Sequence, residues 1–169
     1  MTPDGGRTPG TLPPAVLRWT DELVERVAGE PLFQHTAVFV GAPGWDALVL
    51  AAQRWGPIRD PGDVRVGSWV VPLIGSICGR VFRSGKPALI GDVRLDPDYR
   101  DFPGGQSRSE LAVPILAGGL VVGVVNLESP QVGGFTIADL DRVHALAGRA
   151  AIDFADAGLG ELLGPSAGP

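Results

Sequence analysis

Cysteine, methionine and tyrosine each occur once in the 169 residues, and histidine occurs twice. The lone thiol, Cys78, excludes an internal disulfide and any zinc site built on several cysteines, and it suits a reducing compartment. No apolar run approaches the roughly 20 residues a helix needs to cross a bilayer. The longer runs, such as Leu120 to Val125, have only the length of a strand. The opening residues, M-T-P-D-G-G-R-T-P-G-T-L-P-P, lack the apolar segment of a secretory signal, so they read as a flexible leader and the expected location is the cytoplasm. Basic charge is scarce as well: 14 Lys and Arg against 19 Asp and Glu leave a net charge of -5, which argues against a nucleic-acid partner. There is no Ser-His-Asp arrangement, no H-E-x-x-H and no Gly-rich phosphate loop with its lysine. His35, ahead of the first expected strand, and His144, in the last helix, lack the neighbours that would make a metal site. The sequence therefore requires no metal or cofactor.

What remains is the composition of one folded domain. Hydrophobic residues are 44% and charged residues 20% of the chain, and its length suffices for a single core without disulfides or metal. Val16, Trp19, Leu23 and Val27 recur at helical spacing and predict a first helix over 16–28. Thr36 to Gly41 and Ala47 to Trp55 read as strands around a Gly-Ala-Pro-Gly turn, and Ser68 to Leu73 as an edge strand containing a proline. Ser76 is placed to cap a short helix ending at Ser84, with Gly85 as its C-terminal stop. Ala88 to Ile90 is a brief strand, and 91–106 a polar loop of a length that is usually functional. Glu110 to Leu116 and Leu120 to Leu127 form a hairpin through Ala117-Gly118-Gly119, apolar on both faces and so covered on both sides. Leu111, Val113, Val121, Val125 and Leu127 are the expected core. In the last helix Thr136 and Asp139 form a capping box and Phe135 and Leu140 a hydrophobic staple. Its apolar stripe is Ile137, Leu140, Val143, Ala147, Ala150 or Ala151, and Phe154, whose small residues permit close approach of another helix. Residues 1–13 are thus a leader, 14–157 one domain and 158–169 a flexible tail.

This order of elements carries several segments that resemble the GAF domain family: G-S-I-C-G-R-V-F-R-S-G-K-P at 75–87, D-V at 92–93, S-E-L-A-V-P-I at 109–115, V-G-V-V-N-L-E-S at 122–129 and F-T-I-A-D-L at 135–140. The resemblance implies an α/β (α+β) fold of GAF- and PAS-like type. A central antiparallel sheet would carry the terminal helices on one face and a ligand pocket on the other. It also implies a homodimer paired through the terminal helices. An enzyme family on this fold, the free methionine-R-sulfoxide reductases, shares the G-x-C-G and S-E-x-x-x-P segments. Those enzymes need a nucleophilic cysteine just ahead of the S-E segment and a resolving thiol, and 103–108 contains no cysteine. Cys78 matches only the G-x-C-G cysteine and reads as a small buried thiol. Cyclic-nucleotide members resemble one another through N-K and F-x-x-x-D-E, of which Leu127 and Leu140 replace two charged positions here.

The resemblance, with the converging polar and aromatic residues, places a pocket between the sheet and 69–109. The candidate lining is Trp69, Arg80, Asp92, Tyr99, Phe102, Ser109, Glu110 and Glu128. Arg80, Arg83, Lys86, Arg94, Arg100 and Arg108 outnumber Asp92, Asp96, Asp98 and Asp101, so 80–108 is net +2 while the rest of the chain is -7. That balance and the N-terminus of the Ser76 helix favour an anionic or amino-acid-like ligand. Against this stands the reading that the arginines pair with the loop aspartates. The expected function is a non-catalytic sensory module whose output protein acts in trans. The alternative is a ligand-free interaction module, and a reductase-like enzyme is disfavoured.

Overall fold

The computed structural model describes residues 11–29, 35–56, 64–101 and 105–163. Its centre is a six-stranded antiparallel sheet of order β3-β2-β1-β6-β5-β4. The strands are β1 (His35–Val40), β2 (Ala47–Trp55), β3 (Val70–Pro72), β4 (Ala88–Ile90), β5 (Ser109–Ala117) and β6 (Leu120–Ser129). β1 and β2 form one hairpin and β5 and β6 another, and pairing of β1 with β6 joins them. Both edges are strands of only three residues, which leaves little unpaired backbone to recruit another chain. Proline ends the edge strand β3, where a missing N–H breaks no central ladder.

The helices are α1 (Pro14–Val27), α2 (Ile77–Ser84), α3 (Ile137–Asp156) and α4 (Leu159–Leu163). α1 and α3 cover one face of the sheet, and α2 lies on the other. On the α1/α3 side Val38, Val40, Leu111, Val113, Ile115, Val125 and Leu127 pack against Val16, Leu23, Val143 and Phe154. On the α2 side Ala37, Phe39, Leu50, Ala112 and Val124 pack against Ile77, Cys78 and Val81. Two-sided burial is the reason the hairpin strands show no polar alternation. Among the expected core residues Val121 alone is only half-buried, because the register slips at Ile115/Leu116 near the hairpin tip.

The terminal helices are tied together by polar as well as apolar contacts. Trp19 Nε1 donates to the Ala150 carbonyl at 2.9 Å, and the Trp19 and Phe154 rings lie 4.9 Å apart. Buried Thr20 on α1 is satisfied by the carbonyls of Val16 and Ala51, at 3.1 and 3.2 Å. α3 starts on the expected capping box, with Asp139 N donating to Thr136 Oγ1 at 3.3 Å and Thr136 N to Asp139 Oδ2 at 2.7 Å.

One open choice is decided and two expectations need correction. Ala147, Ala150 and Ala151 are buried in this chain's own core, so of the two neighbours the stripe could admit, one in the same chain or a partner's helix, it takes the first and seats α3 on its own sheet and on α1. Ile137 is 64% exposed, since the helical stripe reaches the core only from the second turn onward. The expected tail begins with α4, whose Leu159 and Leu163 are buried against the α3 side of the core, and Leu12 in the expected leader is buried as well.

Candidate functional site

Alternation along the strands directs Glu110 of β5 and Asn126 and Glu128 of β6 to the sheet face beneath α2. Glu110 and Glu128 are paired directly across the two strands and are 3% and 2% exposed. Asn126 Nδ2 donates to Glu128 Oε1 at 3.4 Å, and Ser107 Oγ donates to the other oxygen, Oε2. The Cys78 thiol lies 3.9 Å from Glu110 Oε1. Glu110, Asn126, Glu128 and Cys78, with Phe39, Val71, Arg100, Ser76 and Ile77, line a cavity of about 20 Å³. Asn126 Oδ1 is buried there without a hydrogen-bond partner among the described residues.

The cavity is electrostatically unbalanced. Burial first, and then the charge of Glu128, push the Glu110 pKa well above the ordinary carboxylate range. Burial and then Glu110 and Glu128 likewise push the Cys78 thiol up. The N-terminus of α2 touches the same cavity, and its dipole favours negative charge there. Ser76 caps that helix through Gly79 N at 3.0 Å.

On the other side of Glu128 in the sheet stands His35, in register with it on β1 and fully buried. The imidazole stacks on Trp55 with ring centroids 4.0 Å apart. Its Nε2 lies 3.1 Å from Gln53 Oε1. Gln53 Nε2 donates to the Val64 carbonyl, so that Oε1 is an acceptor and the His35 Nε2 carries the proton.

Next to the cavity an open cleft of about 620 Å³ is walled by Val93, Tyr99, Ser107, Arg108, Pro130 and Val132, among others. Ser107 lines the cleft and donates to Glu128, which lines the cavity. Burial, followed by the charges of Glu128 and Asp101, pushes the Tyr99 phenol above its ordinary pKa.

Of the eight expected lining residues, the structure brings Glu110 and Glu128 together in the cavity and sets Tyr99 in the cleft wall. Trp69 packs half-buried against the α2-side core, outside the cavity lining. Arg80 is held by Asp96 at 2.6 Å and Asp98 at 2.8 Å. Asp92 caps the 3-10 turn Val93–Leu95 and pairs with Arg94 at 2.5 Å. Ser109 points to the opposite face, donating to the Gln131 carbonyl at 2.8 Å and accepting from Gly134 N at 3.1 Å. Phe102 lies outside the described residues. Arg83 and Arg100 donate to the Leu73 and Gly75 carbonyls, at 2.9 and 2.7 Å. Arg80 and Arg94 are thus paired with loop aspartates, and Arg100 lines the cavity together with Glu110 and Glu128. Asn126, Ser107 and His35 were not among the expected residues. N-L-E-S pointed to the strand end that holds Asn126, whereas nothing local marked Ser107.

A single antiparallel sheet with its terminal helices on one face and a short helix over a polar cavity on the other defines the class of α/β fold. The sequence profile of the GAF domain matches residues 57–152, and the chain belongs to the GAF domain family. Among solved structures it is similar to the GAF domain of the Acinetobacter phosphoenolpyruvate-protein phosphotransferase, with 18% identity, a TM-score of 0.70 and coverage of 89% of this chain and 87% of that one. It is also similar to a type II free methionine-R-sulfoxide reductase from Thermoplasma acidophilum, with 19% identity, a TM-score of 0.67 and coverage of 82% and 90%. A third, the second GAF domain of DevS from Mycobacterium smegmatis, shows 21% identity, a TM-score of 0.62 and coverage of 87% and 98%. At these identities the likeness is one of fold. No curated protein matches the sequence significantly. Among the described residues no helix is long and apolar enough to cross a membrane.

Proposed function

We propose that this GAF domain is a non-catalytic sensory module that binds a small, amino-acid-like ligand through a protonated amine at the Glu110/Glu128 cavity. A partner protein in the cytoplasm then reads the bound state. One observation carries this reading: two opposed buried carboxylates and an unsatisfied Asn126 carbonyl oxygen converge on one cavity. Like charges directly opposite in a sheet repel, and burial raises that cost. An ammonium group supplies three donors to this set of acceptors and a positive charge beside the two carboxyl groups. Of the anionic and amino-acid-like ligands, the amino-acid-like one fits this reading better, because its amine meets the two glutamates where an anion would not.

The similarity to sulfoxide reductases does not extend to their chemistry in this reading. Reduction through a sulfenic acid requires an accessible thiolate and a resolving thiol. Cys78 is the only cysteine, is 5% exposed and has its pKa raised.

Thermal-shift measurements test the proposal. Ethylamine and butylamine should raise Tm in a concentration-dependent way, as any ligand specific to the folded state does. Nitrate and acetate should not, and Glu128→Gln should abolish the amine response while keeping a cooperative transition. If no amine shifts Tm, the sensor reading falls and a ligand-free interaction module takes its place.

A further inference from the structure

The link from β3 to α2, Pro72 to Gly75, is apolar and exposed, yet it is tied down along its length. Pro72 is exposed and Ile74 is 70% exposed. Leu73 N donates to the Asp46 carbonyl at 3.1 Å, and the Pro72 carbonyl accepts from Ser76 Oγ. The carbonyls on either side of Ile74 are taken by two arginines. Arg83 Nε donates to the Leu73 carbonyl at 2.9 Å, and Arg100 Nε to the Gly75 carbonyl at 2.7 Å. Leu73 and Gly75 are two residues apart, so their Cα atoms, to which the two side chains are anchored, stand at most about 7 Å from each other.

Two positive charges are thus held close together on one short segment, and no acid answers them. Among the described residues neither Arg83 nor Arg100 makes an ion pair, and their terminal nitrogens make no hydrogen bond. The acids nearest to Arg100 in sequence are committed elsewhere. Asp96 and Asp98 hold Arg80, and the Asp101 carboxylate fills the space beside Gly105 at the cleft wall. A surface arginine ordinarily gives up side-chain freedom when it binds. Here each is already ordered through Nε and keeps free the pair of terminal nitrogens that can grip a carboxylate.

We propose that Ile74, flanked by Arg83 and Arg100, is the docking surface for a partner protein that presents a short acidic segment with an apolar side chain between its carboxylates. The carboxylates pair with the two arginines, and the apolar side chain covers Ile74. A bare anion would neutralise the arginines but leave Ile74 in water. A nucleic acid would bring a dense run of phosphates against a chain whose net charge is -5. Arg100 also lines the Glu110/Glu128 cavity, so the docking surface borders that site. Docking itself requires no amine in the cavity.

The test is an NMR titration of the isotope-labelled full chain with the capped pentapeptide Glu-Asp-Leu-Asp-Glu. The controls are Glu-Asp-Gly-Asp-Glu, Lys-Arg-Leu-Arg-Lys, inorganic phosphate and a short DNA duplex. Shift changes should centre on Ile74, Gly75, Arg83 and Arg100, and affinity should fall as salt is added. Glycine in place of leucine should weaken binding about threefold, and the basic peptide should not bind. Arg83→Gln and Arg100→Gln should each weaken the acidic peptide about fivefold, and Ile74→Ser about threefold. A dispersed spectrum shows that each variant is folded. If phosphate or DNA binds more tightly than the acidic peptide, the arginines form an anion site and the protein dock is wrong. It is equally wrong if the peptide does not bind, shifts other residues, or binds the three variants as it binds the wild type. The amine reading stands or falls separately, on the melting response to ethylamine and butylamine.

Discussion

Glu110 and Glu128 occupy positions where strand pairing, burial and like charge all act against ionisation. The folded protein holds a proton on Glu110 that the unfolded chain gives up near the ordinary value of 4.5. A raised folded pKa contributes stability that is complete below the unfolded pKa and is lost as pH rises through the folded pKa. Tm should therefore decline as pH increases above about 4.5, where Glu110 in the unfolded state is already ionised. Glu110→Gln removes that proton uptake, so the difference in Tm between variant and wild type should grow in the variant's favour from pH 5 to pH 8. Parallel melting profiles over that range would show that Glu110 does not titrate this way. Both glutamates were legible in the sequence, because S-E-L and N-L-E-S break otherwise apolar strands with charge. The arginines misled, because their partners are set by the path of the 91–106 loop. Asp96 and Asp98 lie 16 and 18 residues from Arg80, a separation at which sequence spacing carries no information.

α2 positions the roof of the cavity, and its limits are local chemistry. Ser76 accepts from Gly79 N and donates to the Pro72 carbonyl, and Gly85 closes the helix in the left-handed region at φ 64°. Ser76→Ala should cost about 1 kcal/mol in denaturant unfolding. Gly79 is constrained differently: a methyl there would meet the backbone carbonyl oxygens of Pro72 and Leu73, which cannot swing aside. Gly79→Ala should therefore exceed the Ser76 loss by a clear margin and weaken amine binding as well. Equal losses for the two would show that the segment before α2 yields easily. Caps and glycine stops repeat within a few residues, and for that reason the ends of α2, the hairpin turn and the α3 capping box could be read directly. α4 could not be, since five residues cannot hold a helix on propensity alone and only the docking of Leu159 and Leu163 secures it.

At the scale of the whole molecule, a surface open to a second copy through the terminal helices is the outer face of α3. The inner alanines are consumed by the chain's own core, so self-association through this helix must use Ala138, Asp141, Ala145, Gly148, Arg149 and Ile152, all exposed and all on one helical stripe. Ile152 is 61% exposed there, a large apolar side chain beside small neighbours. If two α3 helices cross antiparallel about a two-fold axis at Ala145, residue pairs sum symmetrically about that position. Asp141 then meets Arg149 of the partner twice, and Ile152 lies over the partner's Ala138, as an isologous interface requires. The expected outcome is a dimer mass by light scattering at micromolar concentration. Asp141→Arg should shift the protein toward monomer by placing like charges opposite each other. Adding Arg149→Asp to that variant should restore the dimer, and Ile152→Lys alone should disrupt it. Amine binding should be unchanged throughout, because the site lies on the other face of the sheet. A wild-type monomer would remove the dimer, and a double variant no more dimeric than Asp141→Arg would remove the antiparallel register.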